Sequence, residues 1–252
     1  MDFTSAFWLL AGLSAFLVGA SKGGLPLVGT LAVPLMALQI SPVVAAGLLL
    51  PIYIISDMFG LWIYRKSFDV RNIAILVPAA AVGIIFGWAT ASVTKEDVVT
   101  ILVGVIGLAY CIDAMLKARR NLPPKSADVP RGIFWGAIAG FTSFVSHSGA
   151  PPYQMYVLPQ RLEKMVYAGT TTIIFAIINL LKLPPYWFLG QVNLASLETA
   201  LLLSPLAVIG AYVGYRLTLI LPEKIFFRIV EAALFLVSLK LVYDGVAGLT
   251  NG

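Results

Sequence analysis

The 252-residue chain is poor in charge, with Asp, Glu, Lys and Arg making up 12% of it, against about 25% in an average soluble protein. It holds one cysteine, Cys111, and one histidine, His147. A lone cysteine cannot close an intramolecular disulfide, so nothing points to an oxidising compartment. A lone histidine excludes a His-rich metal site, and neither a metal nor any other cofactor is expected. Gly19-Ala20-Ser21-Lys22-Gly23-Gly24 lacks the spacing of a nucleotide-binding P-loop. The N-terminus carries acidic Asp2 where a signal peptide has a basic flank, and no small-residue cleavage site follows. What abounds is apolar: 60% of residues are hydrophobic, and the mean hydropathy is +0.93. A soluble domain of this length could not cover so much apolar surface. Composition therefore excludes a soluble enzyme, a disordered chain and a disulfide-stapled secreted domain. It leaves a polytopic membrane protein whose first partner is the lipid bilayer and which has no part in nucleic-acid binding.

A bilayer core of about 30 Å takes roughly 20 apolar residues per helix. The stretches 43–64, 73–93, 98–116, 165–181, 197–220 and 225–243 fit, separated by short charged connectors. Backbone groups in lipid need internal partners, so these are expected to be helices. A barrel is disfavoured, because the stretches are continuously apolar and no period of two runs through them. Two regions fit no simple span. Region 3–38 is interrupted by Ser21-Lys22-Gly23-Gly24-Leu25-Pro26, and region 132–159 by Ser146-His147-Ser148-Gly149-Ala150-Pro151-Pro152. Glycine, proline and a basic or titratable residue at mid-segment mark a break. Each region is one broken span or a hairpin that returns to its own side.

The distribution of basic residues separates these readings. With hairpins, 13 of the 17 Lys and Arg share one side: Arg65, Lys66, Arg71, Lys117, Arg119, Arg120, Lys125, Arg131, Arg161, Lys164, Arg216, Lys224 and Arg228. Lys95, Lys182 and Lys240 fall opposite, and Lys22 lies within a break. With single spans the asymmetry is weaker. The hairpin reading places both termini outside and the 117–131 loop in the cytoplasm.

The two breaks align at an offset of 125, which pairs Ser21 with Ser146, Lys22 with His147, Gly24 with Gly149 and Pro26 with Pro151. Gly47 and Asp57 pair with Gly169 and Asn179 at offset 122; Pro78, Gly83 and Gly87 pair with Pro205, Gly210 and Gly214 at offset 127. The expected organisation is a first repeat over 1–118, a cytoplasmic linker over 119–131 with Pro123, Pro124 and Pro130, and a second repeat over 132–252. Each repeat is a broken helix or hairpin followed by three spans. An odd number of spans starts the second repeat from the opposite face, giving an all-α fold of two inverted repeats. Residues 183–195 read as an interfacial loop rich in aromatics, among them Tyr186, Trp187 and Phe188.

Paired Gly/Pro-interrupted segments point to a transporter's binding site. A helix beginning after a break presents N–H groups and the positive end of its dipole to an anion. Helices starting near Gly24 and near Gly149 would do so, with Gly23 letting the ligand approach the backbone. Ser21, Ser146 and Ser148 add hydroxyl donors, Lys22 a positive charge and His147 a titratable one. The bland alternative for each break is a packing kink with snorkelling polar groups, and for His147 a structural hydrogen bond. Asp57 lies within a span and could pair with Lys22, carry a proton, or sit idle at an interface. Asn179 is its repeat mate and Lys182 lies one turn beyond, either lining the outer mouth or ending the span. Thr171 lies within Thr170-Thr171-Thr172 and offers substrate a hydroxyl, although such groups commonly bond their own helix. Glu231 is expected to pair with Arg228, while Asp113 and Glu198 read as interfacial.

The opening Gly12…Gly19-Ala20-Ser21-Lys22-Gly23-Gly24-Leu25-Pro26, the second Gly136…Gly140 with Ser146-His147-Ser148-Gly149-Ala150-Pro151, and Asn179-Leu180-Leu181-Lys182 resemble the TauE/SafE family of sulfite and sulfonate transporters. The resemblance spans essentially the whole chain. It implies movement of small sulfur anions, such as sulfite, sulfoacetate or other organosulfonates, across a bacterial inner membrane.

The expected function is thus secondary transport of a small sulfur-containing anion, held between the two hairpins and passed by alternating access. The substrate-binding set is Ser21, Lys22, Gly23, Gly24, Ser146, His147, Ser148, Gly149, Thr171, Asn179 and Lys182. Asp57 and His147 are the candidates for proton coupling, and a homo-oligomer is possible. The alternative is an anion channel lined by the same donors. An intramembrane enzyme using Ser146 or Ser148 with His147 is disfavoured, because so short a spacing rarely orients a nucleophile and its base.

Overall fold

The computed structural model describes residues 5–118 and 123–251. Asp2, Arg119 and Arg120 lie outside the described residues, as do the side chains of Asp113 and Lys117. Among the described residues all regular structure is helical: α1 (Ser5–Lys22), α2 (Ala32–Met36), α3 (Pro42–Tyr64), α4 (Val70–Ala89), α5 (Glu96–Ala118), α6 (Val129–Ser146), α7 (Ala150–Val157), α8 (Lys164–Phe188), α9 (Leu194–Ile220) and α10 (Glu223–Asn251). Single 3₁₀ turns at Val28–Leu31 and Leu158–Gln160 follow the two breaks.

Local chemistry sets several starts. Ser41 and Asp128 accept backbone N–H bonds from Val44 and Arg131, each with a proline in the first turn (Pro42 and Pro130). Asn193 and Ser196 form a reciprocal capping box that starts α9. Among the described residues, five helices are long and apolar enough to cross a membrane: α1, α3, α4, α8 and α9. The expected span 98–116 forms within α5. The expected span 225–243 forms as α10, where Arg228, Glu231 and Lys240 recur along the helix and dilute its apolar character.

One expectation is corrected. Residues 183–188 are not loop: α8 continues through Pro184 and Pro185 to Phe188, leaving a turn at 189–193. Consecutive prolines remove two N–H donors but already hold helical φ, so a helix near its end keeps its course. Tyr186 is buried by this extension, whereas Trp187 and Phe188 are exposed.

The chain forms two compact units, Met1–Asp69 with Lys164–Pro222 and Val70–Glu163 with Glu223–Gly252. In the first, the break after α1 turns the chain back. Ser14 Oγ donates to the Ala32 carbonyl at 3.2 Å, so residues well past the break lie beside the middle of α1. A chain continuing onward could not make that contact; this segment is a hairpin. Tyr53 and Tyr64 of α3 donate to the Gly29 and Gly23 carbonyls, at 2.7 and 2.6 Å, so α3 rises beside α1 in the same direction. Helix α8 runs antiparallel to α3: Gly47 faces Gln191, Asp57 faces Asn179, Gly60 faces Thr172 and Tyr64 faces Gly169. Helix α9 lies parallel to α1 in close backbone contact. A Cβ on Gly19 would strike the Ala207 carbonyl, and Cβ atoms on Gly210 and Gly214 would strike those of Phe16 and Ala20.

The second unit repeats these relations. Tyr156 Oη donates to the Asp128 carbonyl at 3.0 Å, so α7 folds back along α6 as a second hairpin. Helices α4 and α6 run parallel and touch through glycine, with Gly83 against Ala137 and Phe141, and Gly140 against Ala80. Helices α5 and α10 are antiparallel, with Asp97 near Gly248 and Gly107 near Ser238.

Candidate functional site

The first hairpin tip places a charge inside the protein. Helix α1 ends at Lys22, and Gly24 follows at φ +119, a left-handed conformation that a side chain would strain. Any Cβ there would also meet Thr218 and Tyr64. The tip is tied down through the Gly23 carbonyl, which accepts from Tyr64 Oη at 2.6 Å and Thr218 Oγ1 at 3.2 Å. Thr172 Oγ1 donates to the Lys22 carbonyl at 3.3 Å. Lys22 thus has a fixed backbone, and its side chain is buried.

Lys22 Nζ pairs with Asp57 Oδ1 at 2.7 Å. The other carboxylate oxygen accepts from Asn179 Nδ2 at 2.8 Å. The rings of Tyr53 and Phe175 flank the ammonium, their centroids 5.1 and 5.9 Å from Nζ. One turn beyond Asn179, Lys182 is wholly buried, its Nζ 6.0 Å from the centre of the Tyr186 ring. Among the described residues, Asp57 is the one buried carboxylate, and Lys22 and Lys182 are the buried lysines. The formal count is two positive charges against one negative. Burying charges costs several kcal/mol per ion unless opposite charges and hydrogen bonds compensate, so a buried site with two lysines and one carboxylate has cationic groups to offer an anion.

The second hairpin has a different chemistry. His147 is left-handed at φ 54, and it closes α6 with its N–H on the Ser143 carbonyl and the Ser148 N–H on that of Thr142, both at 3.2 Å. The His147 bond is the αL closure of a helix end, a place that usually takes glycine. Ser146 Oγ donates to the Thr142 carbonyl at 3.4 Å and Ser148 Oγ to the Ser146 carbonyl at 3.2 Å. Gly149 precedes α7, whose first turn contains Pro151 and Pro152 and so lacks two N–H donors.

The family model described as sulfite exporter TauE/SafE matches residues 8–241. The chain belongs to the TauE/SafE family. Searches of curated proteins and of solved structures found no match. TauE/SafE proteins are transporters, and the helices of this member that can cross a membrane agree with that class.

Within this TauE/SafE chain the first unit brings together Lys22, Asp57, Asn179 and Lys182. Other expected contributors are engaged locally. Ser21 Oγ donates to the Val18 carbonyl at 2.6 Å and Thr171 Oγ1 to that of Tyr167 at 2.7 Å. The N–H groups of Gly23, Gly24 and Leu25 return to α1 carbonyls, and the next helical turn starts only at Val28. Side chains rather than helix N–H groups therefore supply the charge at this tip. Ser146, His147, Ser148 and Gly149 form the buried tip of the second unit. Sequence reading overlooked Tyr53 and Phe175. They are repeat mates at offset 122, one turn before Asp57 and Asn179. Carrying that alignment back one turn was the signal that could have found them.

Proposed function

We propose that the protein is a secondary transporter of a small sulfur-containing anion, sulfite or a short organosulfonate, in a bacterial inner membrane. The observation that carries this reading is the buried Lys22–Asp57–Asn179–Lys182 cluster, with two lysines to one carboxylate. An anion would be held by Lys22, Lys182 and Asn179. Ser146, His147, Ser148 and Gly149 take the equivalent positions in the second repeat.

The alternating-access part of the proposal rests on inverted repeats, and three relations support them. Residues paired by the offset touch each other, as Asp57 and Asn179 do, which is the arrangement a two-fold axis produces. The helices carrying them are antiparallel, so that axis lies across the helices, in the membrane plane. Contacts recur under the offsets: Gly210 packs on Phe16, and their mates Gly83 and Phe141 also pack together. Inverted repeats of this kind support rocking of one part against another around a fixed site.

Export of an anion from a negative-inside cell is electrically downhill by about 2.3 kcal/mol per charge per 100 mV. Export therefore needs no coupling ion, whereas uptake would draw on a proton through Asp57 or His147. Counterflow in proteoliposomes preloaded with sulfite or sulfoacetate tests the proposal. Accumulation of labelled anion driven by unlabelled internal anion is the expected result. Flux without counterflow would indicate a channel, and no flux of any sulfur anion would remove the substrate assignment.

A further inference from the structure

We infer that Asp57 is a tethered stand-in for the transported anion: its carboxylate occupies Lys22 when the carrier is empty, and this lets the empty carrier reorient. The inference rests on the transport reading above and concerns the half of the cycle in which no substrate is bound.

Three observations lead to it. First, the Lys22 ammonium has few open directions. Asp57 Oδ1 lies on it at 2.7 Å, while Tyr53 and Phe175 flank it. An incoming anion that takes this ammonium must take the place of the carboxylate. Second, the carboxylate has other partners to fall back on. Asn179 Nδ2 already holds Oδ2 at 2.8 Å, and Lys182 lies one turn further along the same helix. Asp57 can therefore yield Lys22 without becoming an orphan charge. Third, the pair is buried, with side-chain exposures of 5% and 1%. A buried ammonium that loses its only counter-charge is penalised by several kcal/mol. A substrate leaving Lys22 would impose that penalty during the return step unless a second anion followed it in. Asp57 is built to be that anion.

The consequence is a separation of two transport modes. Exchange moves substrate in both directions, so Lys22 is compensated in each crossing. Net export requires one crossing with the site empty, and only this crossing needs Asp57. In Asp57→Asn the side chain keeps its shape and Asn179 keeps a carbonyl acceptor, but the tethered charge is gone. Sulfite should then bind at least tenfold more tightly, because nothing competes for Lys22. Exchange of labelled for unlabelled sulfite should persist, and net sulfite efflux into sulfite-free buffer should fall at least tenfold. Asp57→Glu should restore part of the net efflux.

The experiment compares full-length wild type and Asp57→Asn in proteoliposomes, using sulfite as the probe for efflux, exchange and thermal stabilisation in detergent. Loss of both modes in a folded protein that still binds sulfite overturns the inference, as does retention of both. If Asp57→Asn does not yield folded protein, Asn179→Asp decides. A second carboxylate beside Lys22 and Lys182 should weaken sulfite binding at least tenfold, and undiminished binding overturns the inference. Failure of the transport reading looks different: wild type then neither binds nor moves sulfite.

Discussion

At Lys22 the chain has put an ammonium inside the protein, and the consequences can be measured one side chain at a time. Lys22→Ala leaves the Asp57 carboxylate buried and short of its main partner. Breaking such a pair from one side costs about 3–5 kcal/mol. Thermal unfolding in detergent should show that loss, and Lys22→Gln with Asp57→Asn should recover at least half of it. Neither variant should bind sulfite, which separates the stability role from the anion role. His147 allows a second separation. Its left-handed backbone favours glycine, so His147→Gly should keep or slightly raise stability, by up to about 1 kcal/mol. A fall in counterflow without a fall in melting temperature would then assign the imidazole to transport. Legibility at this scale was uneven. The glycines, prolines and lysine of the first break stand out in an apolar run, and Asp57 stands out as a carboxylate within a span. Tyr53 and Phe175 did not, because an aromatic in an apolar helix looks like any core residue until its neighbour across the helix is known.

The helices meet through backbones rather than through large side chains. Where α1 crosses α9 and α6 crosses α4, a methyl group at Gly210 or Gly83 would collide with a main-chain carbonyl. Main chain cannot move aside as a side chain can, so overpacking here costs about 1–3 kcal/mol. Gly210→Ala and Gly83→Ala should each lower the melting temperature in detergent. Gly12→Ala is the control, since its Cβ would meet only the tip of Leu206 at 3.1 Å. The positions of most helices could be read from hydropathy, and the hairpins from their breaks. The length of α8 could not, because Pro184-Pro185 ordinarily announces a loop. The pairing of α1 with α9 was also hidden. Sequence order favours neighbours, whereas these helices lie far apart along the chain and meet because both carry small residues on one face.

At the largest scale, the first unit has a polarity that charge reveals. In the first unit, α3 ends and α8 begins at the same end, where Asp69 N–H donates to Thr170 Oγ1 at 2.8 Å. Helix α9 ends there too, with Lys164 Nζ donating to the Leu219 and Leu221 carbonyls at 3.1 and 2.6 Å. Arg65, Lys66 and Lys164 therefore gather at one end of this unit, as the basic-residue count required for a cytoplasmic side. The turn at 189–193 lies at the other end, near Gly47. With Cys111→Ser as background, a cysteine at Lys66 should react with a membrane-impermeant thiol reagent only after cells are opened, and one at Gly190 should react in intact cells. The reverse pattern would invert the topology.

The contact between Asp57 and Asn179 has one more consequence. Two identical halves meeting on a symmetry axis must place the same residue on both sides of it. A pair of aspartates there would repel, and a pair of asparagines would carry no charge. Joining the halves in one chain lets the two positions drift apart, and the same holds for Lys22 and His147. Two halves of one chain are free to differ at these positions, so the charge asymmetry proposed to handle the anion requires repeats that are no longer identical in sequence.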